Sequence, residues 1–252
     1  MTDWIWPQDA LKNTPSIRAG ITREQEALYR REGTTIIYEI CSVLNVKTKP
    51  TGAVGSVYFH RFYMNYSLQQ FPREITALGC FFLAGKVEEF PKKCKDVCNA
   101  AMSRFPEIFR HYNNLADEVM GIERVLLHVL KFDLQLDLAY DSLLSYAEFF
   151  PHLSEDQKKE VTQIAWTFVN DSYHTTLCLT LDPQMIAIAL LHLAFTVKSI
   201  PPIVEGSDPC WWTQDISNWP VEAVDKSCHL VLDFYSALKE DKPLSNGRLT
   251  PF

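Results

Sequence analysis

Apolar residues recur three and four positions apart along almost the whole chain, the period of an amphipathic α-helix. Val119, Ile122, Leu126, Val129 and Leu130 form one such stripe, and Val221, Val224, Cys228, Val231 and Tyr235 another. This spacing predicts helices over 24–44, 52–68, 73–90, 114–130 and 138–149, with a shorter one over 93–102. Turn signals such as Lys49-Pro50-Thr51-Gly52 and Gln70-Phe71-Pro72 separate them. The pattern then begins again, predicting helices over 156–171, 173–179, 183–198 and 220–238. Ile200-Pro201-Pro202, followed by Gly206, Pro209 and Trp211-Trp212, reads as a long loop in this second set, pinned by its tryptophans. No stretch alternates as a strand would, so the expected fold class is all-α. The longest apolar run, 185–195, contains His192 and falls short of the ~20 residues that cross a bilayer, so it reads as a buried core helix.

The two sets are related. When 75–87 is laid over 185–197, 110 positions on, Ala77 meets Ala187, Leu83 meets Leu193, Ala84 meets Ala194 and Val87 meets Val197. A duplicated helical domain is expected. The difference is more informative, because Lys86 falls on Thr196 and the second set has no counterpart of Glu88-Glu89.

That difference points to chemistry. Burying a charge is costly unless it is paired, so Lys86, Glu88 and Glu89 at the end of an Ala/Gly/Phe helix mark a polar site on an apolar surface. Glu123 interrupts an equally apolar series, and Lys86 and Glu123 are expected to face each other across two packed helices.

Composition narrows the function. The 24 Lys and Arg against 31 Asp and Glu give a net charge of −7, with no long basic run to release phosphate counterions, which argues against nucleic acid. The start of the chain, MTDWIWPQDALKNTPS, lacks the basic and apolar regions of a secretory signal. Seven cysteines, an odd number, are read as reduced thiols packed like small hydrophobes. Cys94 and Cys98 share a helix face, but no further pair at zinc spacing completes a metal site, so neither metal nor cofactor is expected. A Gly-rich phosphate loop or catalytic triad spacing is also absent, and the chain is expected not to be an enzyme.

The segments YFHRFYM (58–64), Gln70-Phe71-Pro72, FLAGKVEEFPKKCKD (82–96), IERVLLHVLKFDL (122–134) and AWTFVNDS (165–172) closely resemble the cyclins of the transcriptional cyclin K and cyclin T group, the last segment being nearer cyclin K. The resemblance runs from Trp4 to about Leu238. It implies an N-terminal arm over 1–22, two tandem five-helix cyclin boxes over 23–150 and 151–240, and a tail over 241–252. The first box would bind the catalytic subunit of a transcriptional cyclin-dependent kinase. Lys86 and Glu123 match the family's kinase-contact motif, with Glu89 nearby and Phe132 and Leu134 as apolar contacts. The chain would then be a non-catalytic, nuclear activating subunit, the complex acting on the C-terminal tail of RNA polymerase II without direct binding to nucleic acid or membrane.

Two departures qualify the resemblance. Tyr29-Arg30-Arg31-Glu32-Gly33 stands where many cell-cycle cyclins have a substrate-docking patch, and His60 stands where they have an Asp, which leaves Arg30 without its usual acidic partner. The segment KEDKPLSNGRLTPF after the second box is not the basic stretch beside which cyclin T binds RNA. The alternatives are a nucleic-acid adaptor of the transcription factor IIB type, disfavoured by charge, and a helical hydrolase using His60, His128 and Glu88-Glu89, for which no nucleophile–base spacing exists.

Overall fold

The computed structural model of the chain describes residues 4–46, 50–148, 150–201, 211–212, 216 and 219–240. Among them are helices and no strand, as the apolar spacing predicts. They group into two compact units, one ending at Leu136 and the other running from Asp137 to Glu240.

The first unit opens with a 3₁₀ turn, Gln8–Lys12, and a short helix α1 (Pro15–Arg18). Pro15 sits at the first helical position, where its missing N–H costs nothing, and the Thr14 hydroxyl accepts from the Ile17 N–H. Next come α2 (Arg23–Val43), α3 (Thr51–Phe62), α4 (Arg73–Val87), α5 (Cys94–Arg104), α6 (Pro106–Phe109) and α7 (Leu115–Val129). A reciprocal capping box between Thr22 and Gln25 starts α2. The central helix is α4, which packs against α2, α3, α5 and α7. It is buried from Ile75 to Gly85, and glycines here and in α2 leave room for side chains of the neighbouring helices. A Cβ on Gly79 would lie 2.4 Å from Ile122 Cγ2 of α7, and one on Gly33 of α2 would lie 2.0 Å from the Phe59 ring of α3.

The helix predicted over 52–68 stops at Phe62. Its last carbonyls have another donor, because the Arg30 guanidinium donates to the His60 and Tyr63 carbonyl oxygens at 3.1 and 3.0 Å. Arg30 does not lack an acidic partner. It pairs with Glu26, one turn earlier on α2, at 2.7 Å, and Glu26 also accepts from Thr14. A second buried pair, Arg73–Glu32 at 2.7 Å, ties α4 to α2, with the guanidinium 4.2 Å from the Tyr29 ring centroid. The positions matching the substrate-docking patch of cell-cycle cyclins are therefore largely interior, with Tyr29, Arg30 and Glu32 all buried.

The second unit comprises α8 (Ala139–Ala147), α9 (Glu155–Ser172), α10 (Leu177–Thr180), α11 (Pro183–Lys198) and α12 (Val221–Glu240). The helix predicted over 138–149 falls with the first set by sequence. It packs in the second unit, because Ala139, Leu143, Tyr146 and Ala147 bury their stripe against α9 and α11. Ser154 and Gln157 cap α9 reciprocally. The central helix here is α11, and the Cys228 thiol of α12 donates to its Ala189 carbonyl at 3.2 Å. Trp211 and Trp212 are buried, the first against Tyr146 and Phe150, the second donating to the Trp219 carbonyl at 3.0 Å. Most of the long predicted loop, including Gly206 and Pro209, lies outside the described residues.

Candidate partner-binding site

Ile122 of α7 seats closely against Gly79 of α4, and the next residue of α7, Glu123, meets Lys86 two turns further along α4. Lys86 Nζ donates to Glu123 Oε1 at 2.6 Å and lies 4.2 Å from the centroid of the Phe82 ring. The Lys86 side chain is 45% exposed and that of Glu123 13%. With its ammonium half in water the pair contributes on the order of 1 kcal/mol to folding, and the outer face of Lys86 remains available.

Helix α4 ends in a Schellman turn. The Phe90 N–H donates to the Gly85 carbonyl at 2.8 Å and the Glu89 N–H to that of Lys86 at 3.4 Å, with Glu89 in the left-handed region at φ 59°. The turn leaves Glu89 exposed beside Lys86. Glu88 is partly withdrawn from water, and burial raises its carboxyl above the usual range.

The segment after α7 is more unusual. Its Schellman turn, with the Phe132 N–H on the Leu127 carbonyl at 3.0 Å and the Lys131 N–H on that of His128 at 3.1 Å, puts two consecutive non-glycine residues in the left-handed region, Lys131 at φ 53° and Phe132 at φ 57°. Each costs about 1–2 kcal/mol relative to ordinary backbone. The strained pair projects Phe132, which is 69% exposed, whereas Leu134 is half-buried. Three side chains that sequence reasoning missed surround this segment. The Tyr58 hydroxyl donates to the Leu134 carbonyl, Trp4 Nε1 donates to Asp133 Oδ2 at 2.9 Å, and the Arg61 guanidinium stacks 4.7 Å from the Trp4 ring centroid. The available signal was the amphipathic Trp4 itself, within the arm that precedes α1.

Of the five residues singled out by sequence, Lys86 in the last turn of α4 and Glu123 midway along α7 are in contact, Glu89 lies in the turn after α4, and Phe132 and Leu134 lie in the segment after α7. At the matching place in the second unit, Thr196 only donates to the His192 carbonyl of its own helix at 3.0 Å. Among the described residues no group of His, Cys, Asp and Glu is arranged to hold a metal ion, and no helix is long and apolar enough to cross a membrane. What the site offers is a cation, carboxylates and an exposed aromatic ring on one rigid pair of helices, the composition of a protein-binding patch.

Residues 9–135 match the family model for the cyclin N-terminal domain, a span that includes all five of these residues. The chain is 42% identical to human cyclin-K over 247 residues, covering 95% of this chain and 42% of that protein. It is 41% identical to zebrafish cyclin-K over 249 residues, covering 95% of this chain and 57% of that one. The chain therefore spans about half the length of these relatives. A chain of the yeast RNA Pol II CTD kinase CTDK-1 complex has the same fold, with a TM-score of 0.71 over 95% of this chain and 75% of that one, at 15% identity. With two compact helical units, a duplicated central helix and this family match over the first unit, the chain belongs to the cyclin family.

Proposed function

We propose that this chain is the activating, non-catalytic subunit of a transcriptional cyclin-dependent kinase, and that Lys86, Glu89, Glu123, Phe132 and Leu134 form its kinase-binding surface. The observation that carries the reading is the Lys86–Glu123 pair on the first unit, whose Lys86 end is half exposed and which has no match in the second unit, where Thr196 stands in place of Lys86. A protein kinase is active only when its αC helix lies inward, so that its Glu pairs with the β3 Lys. A carboxylate such as Glu123 complements the positive end of a helix and accepts from its orphan N–H groups, while Lys86 donates to neighbouring carbonyls. Their mutual contact holds both in register before the kinase arrives. Phe132 then supplies the apolar anchor.

The relatives' identity as cyclin-K, and the yeast fold relative's place in a kinase of the RNA polymerase II C-terminal domain, support that domain as the substrate and the nucleus as the site of action. The net charge of −7 supports a role without direct nucleic-acid binding. The test is reconstitution. The purified chain alone is expected to turn over no ATP. Added to the recombinant kinase subunit of human cyclin-K complexes, it is expected to raise phosphorylation of a polymerase-tail peptide by orders of magnitude. ATP turnover that stays with the chain through further purification, or no activation of the kinase, overturns the proposal.

A further inference from the structure

Phe132 faces solvent from a backbone that an L-residue rarely adopts, directly after Lys131 in the same conformation. Nothing in the local sequence favours this: neither position is Gly, Asn or Asp. The backbone bonds of the Schellman turn close it locally, and contacts from distant parts of the chain hold the two residues after it. The Asp133 carboxylate accepts from the indole of Trp4, 129 positions away, and the backbone at Leu134 accepts from Tyr58 of α3. The Trp4 ring is in turn covered by Arg61, from the same helix as Tyr58. The indole therefore bridges α3 and the segment after α7, and the N–H it gives to a carboxylate is a charge-assisted bond.

We infer that Trp4 is a positioning residue: the N-terminal arm closes a clasp, Arg61–Trp4–Asp133, that keeps Lys131 and Phe132 left-handed and so presents the Phe132 ring ready for a partner. The value of the clasp for binding rests on the proposed kinase-binding role of Phe132, whereas its effect on the segment does not. A partner meeting a pre-formed Phe132 does not have to order the segment itself.

The experiment uses the whole chain with Trp4→Phe, which keeps an aromatic ring over Arg61 but removes the indole donor. Hydrogen exchange at the Phe132 amide, which donates to Leu127, is expected to speed up about tenfold, and affinity for the recombinant kinase subunit of human cyclin-K complexes to fall by about the same factor. Adding Lys131→Gly, which accepts the left-handed region without strain, is expected to restore most of both losses. A general weakening of the fold would not be repaired by a glycine at that one position. Unchanged exchange at Phe132 in Trp4→Phe, or loss that Lys131→Gly does not repair, overturns the clasp. If exchange rises and is repaired while Phe132→Ala leaves kinase affinity unchanged, the clasp stands and the role given to Phe132 in kinase binding falls.

Discussion

The two central helices of the molecule end identically in backbone and differently in charge. In α4 the left-handed residue is Glu89, and the Gly85 and Lys86 carbonyls accept from Phe90 and Glu89. In α11 it is Ser199 at φ 54°, and the Phe195 and Thr196 carbonyls accept from Ile200 and Ser199. Each of these positions is 110 residues from its counterpart, the offset at which the two stretches of sequence match. The shared turn is thus a property of the duplicated helix, and the left-handed Glu89 is not by itself a mark of function. What sets the first unit apart is Lys86 and its partner Glu123, where the second has Thr196 bonded into its own helix. The duplication copied the stop of the helix and left the polar contact in one copy.

The largest expected effect tests a second contrast, between charges buried in the first unit and those at the surface of the second. Arg73→Ala strands Glu32, whose side chain is 7% exposed, and is expected to cost about 3–5 kcal/mol in urea unfolding. Lys158→Ala, which breaks the Lys158–Glu155 pair on the second unit's surface, is expected to cost no more than about 1 kcal/mol. Equal losses would remove the contrast.

Next in size is the close approach of α4 to α7. Gly79→Ala forces Ile122 outward, its Cβ lying only 2.9 Å from the new methyl, and about 1–3 kcal/mol of stability is expected to be lost. Because that contact aligns Lys86 with Glu123, kinase affinity should fall too. Position 189 is the counterpart in α11 and already carries Ala, so the second unit packs its central helix without this glycine. A Gly79→Ala variant of unchanged midpoint and affinity would show that α7 can shift freely.

The smallest effect separates the units by pH. Burial lowers the pKa of His192 in α11, against the opposing pull of Asp225, so the folded chain binds fewer protons there than the unfolded one. Stability from this group is complete above its ordinary pKa of 6.5 and declines as pH falls through that value toward the lowered one. His192→Gln should therefore flatten the fall of the thermal midpoint between pH 7 and 5. A steeper fall would contradict the sign.

Most of the helices were legible because one apolar stripe suffices to reveal each, as in α7 and α12. The short helices α1 and α6 carry too few residues for a period, although the Thr14-Pro15 cap of α1 was visible. Glu26, one turn before Arg30, was equally legible as its partner from the i, i+4 spacing, whereas the resemblance pointed to position 60. Lys86 and Glu123 were legible as charges out of place in apolar helices. Trp4–Asp133 and Arg73–Glu32 were not, since polar groups 129 and 41 positions apart meet only once the helices have packed.

On the proposed reading the Lys86–Glu123 pair faces a kinase rather than merely bracing the first unit. Single reversals, Lys86→Glu or Glu123→Lys, are expected to weaken kinase binding by more than ~2 kcal/mol, while Thr196→Glu leaves it unchanged. The double reversal is decisive because it rebuilds the ion pair with its polarity inverted. The double variant is expected to regain the wild-type thermal midpoint and to remain defective in binding, since each charge now meets the wrong groups on the kinase. Recovery of binding together with the midpoint would contradict it and make the pair a brace.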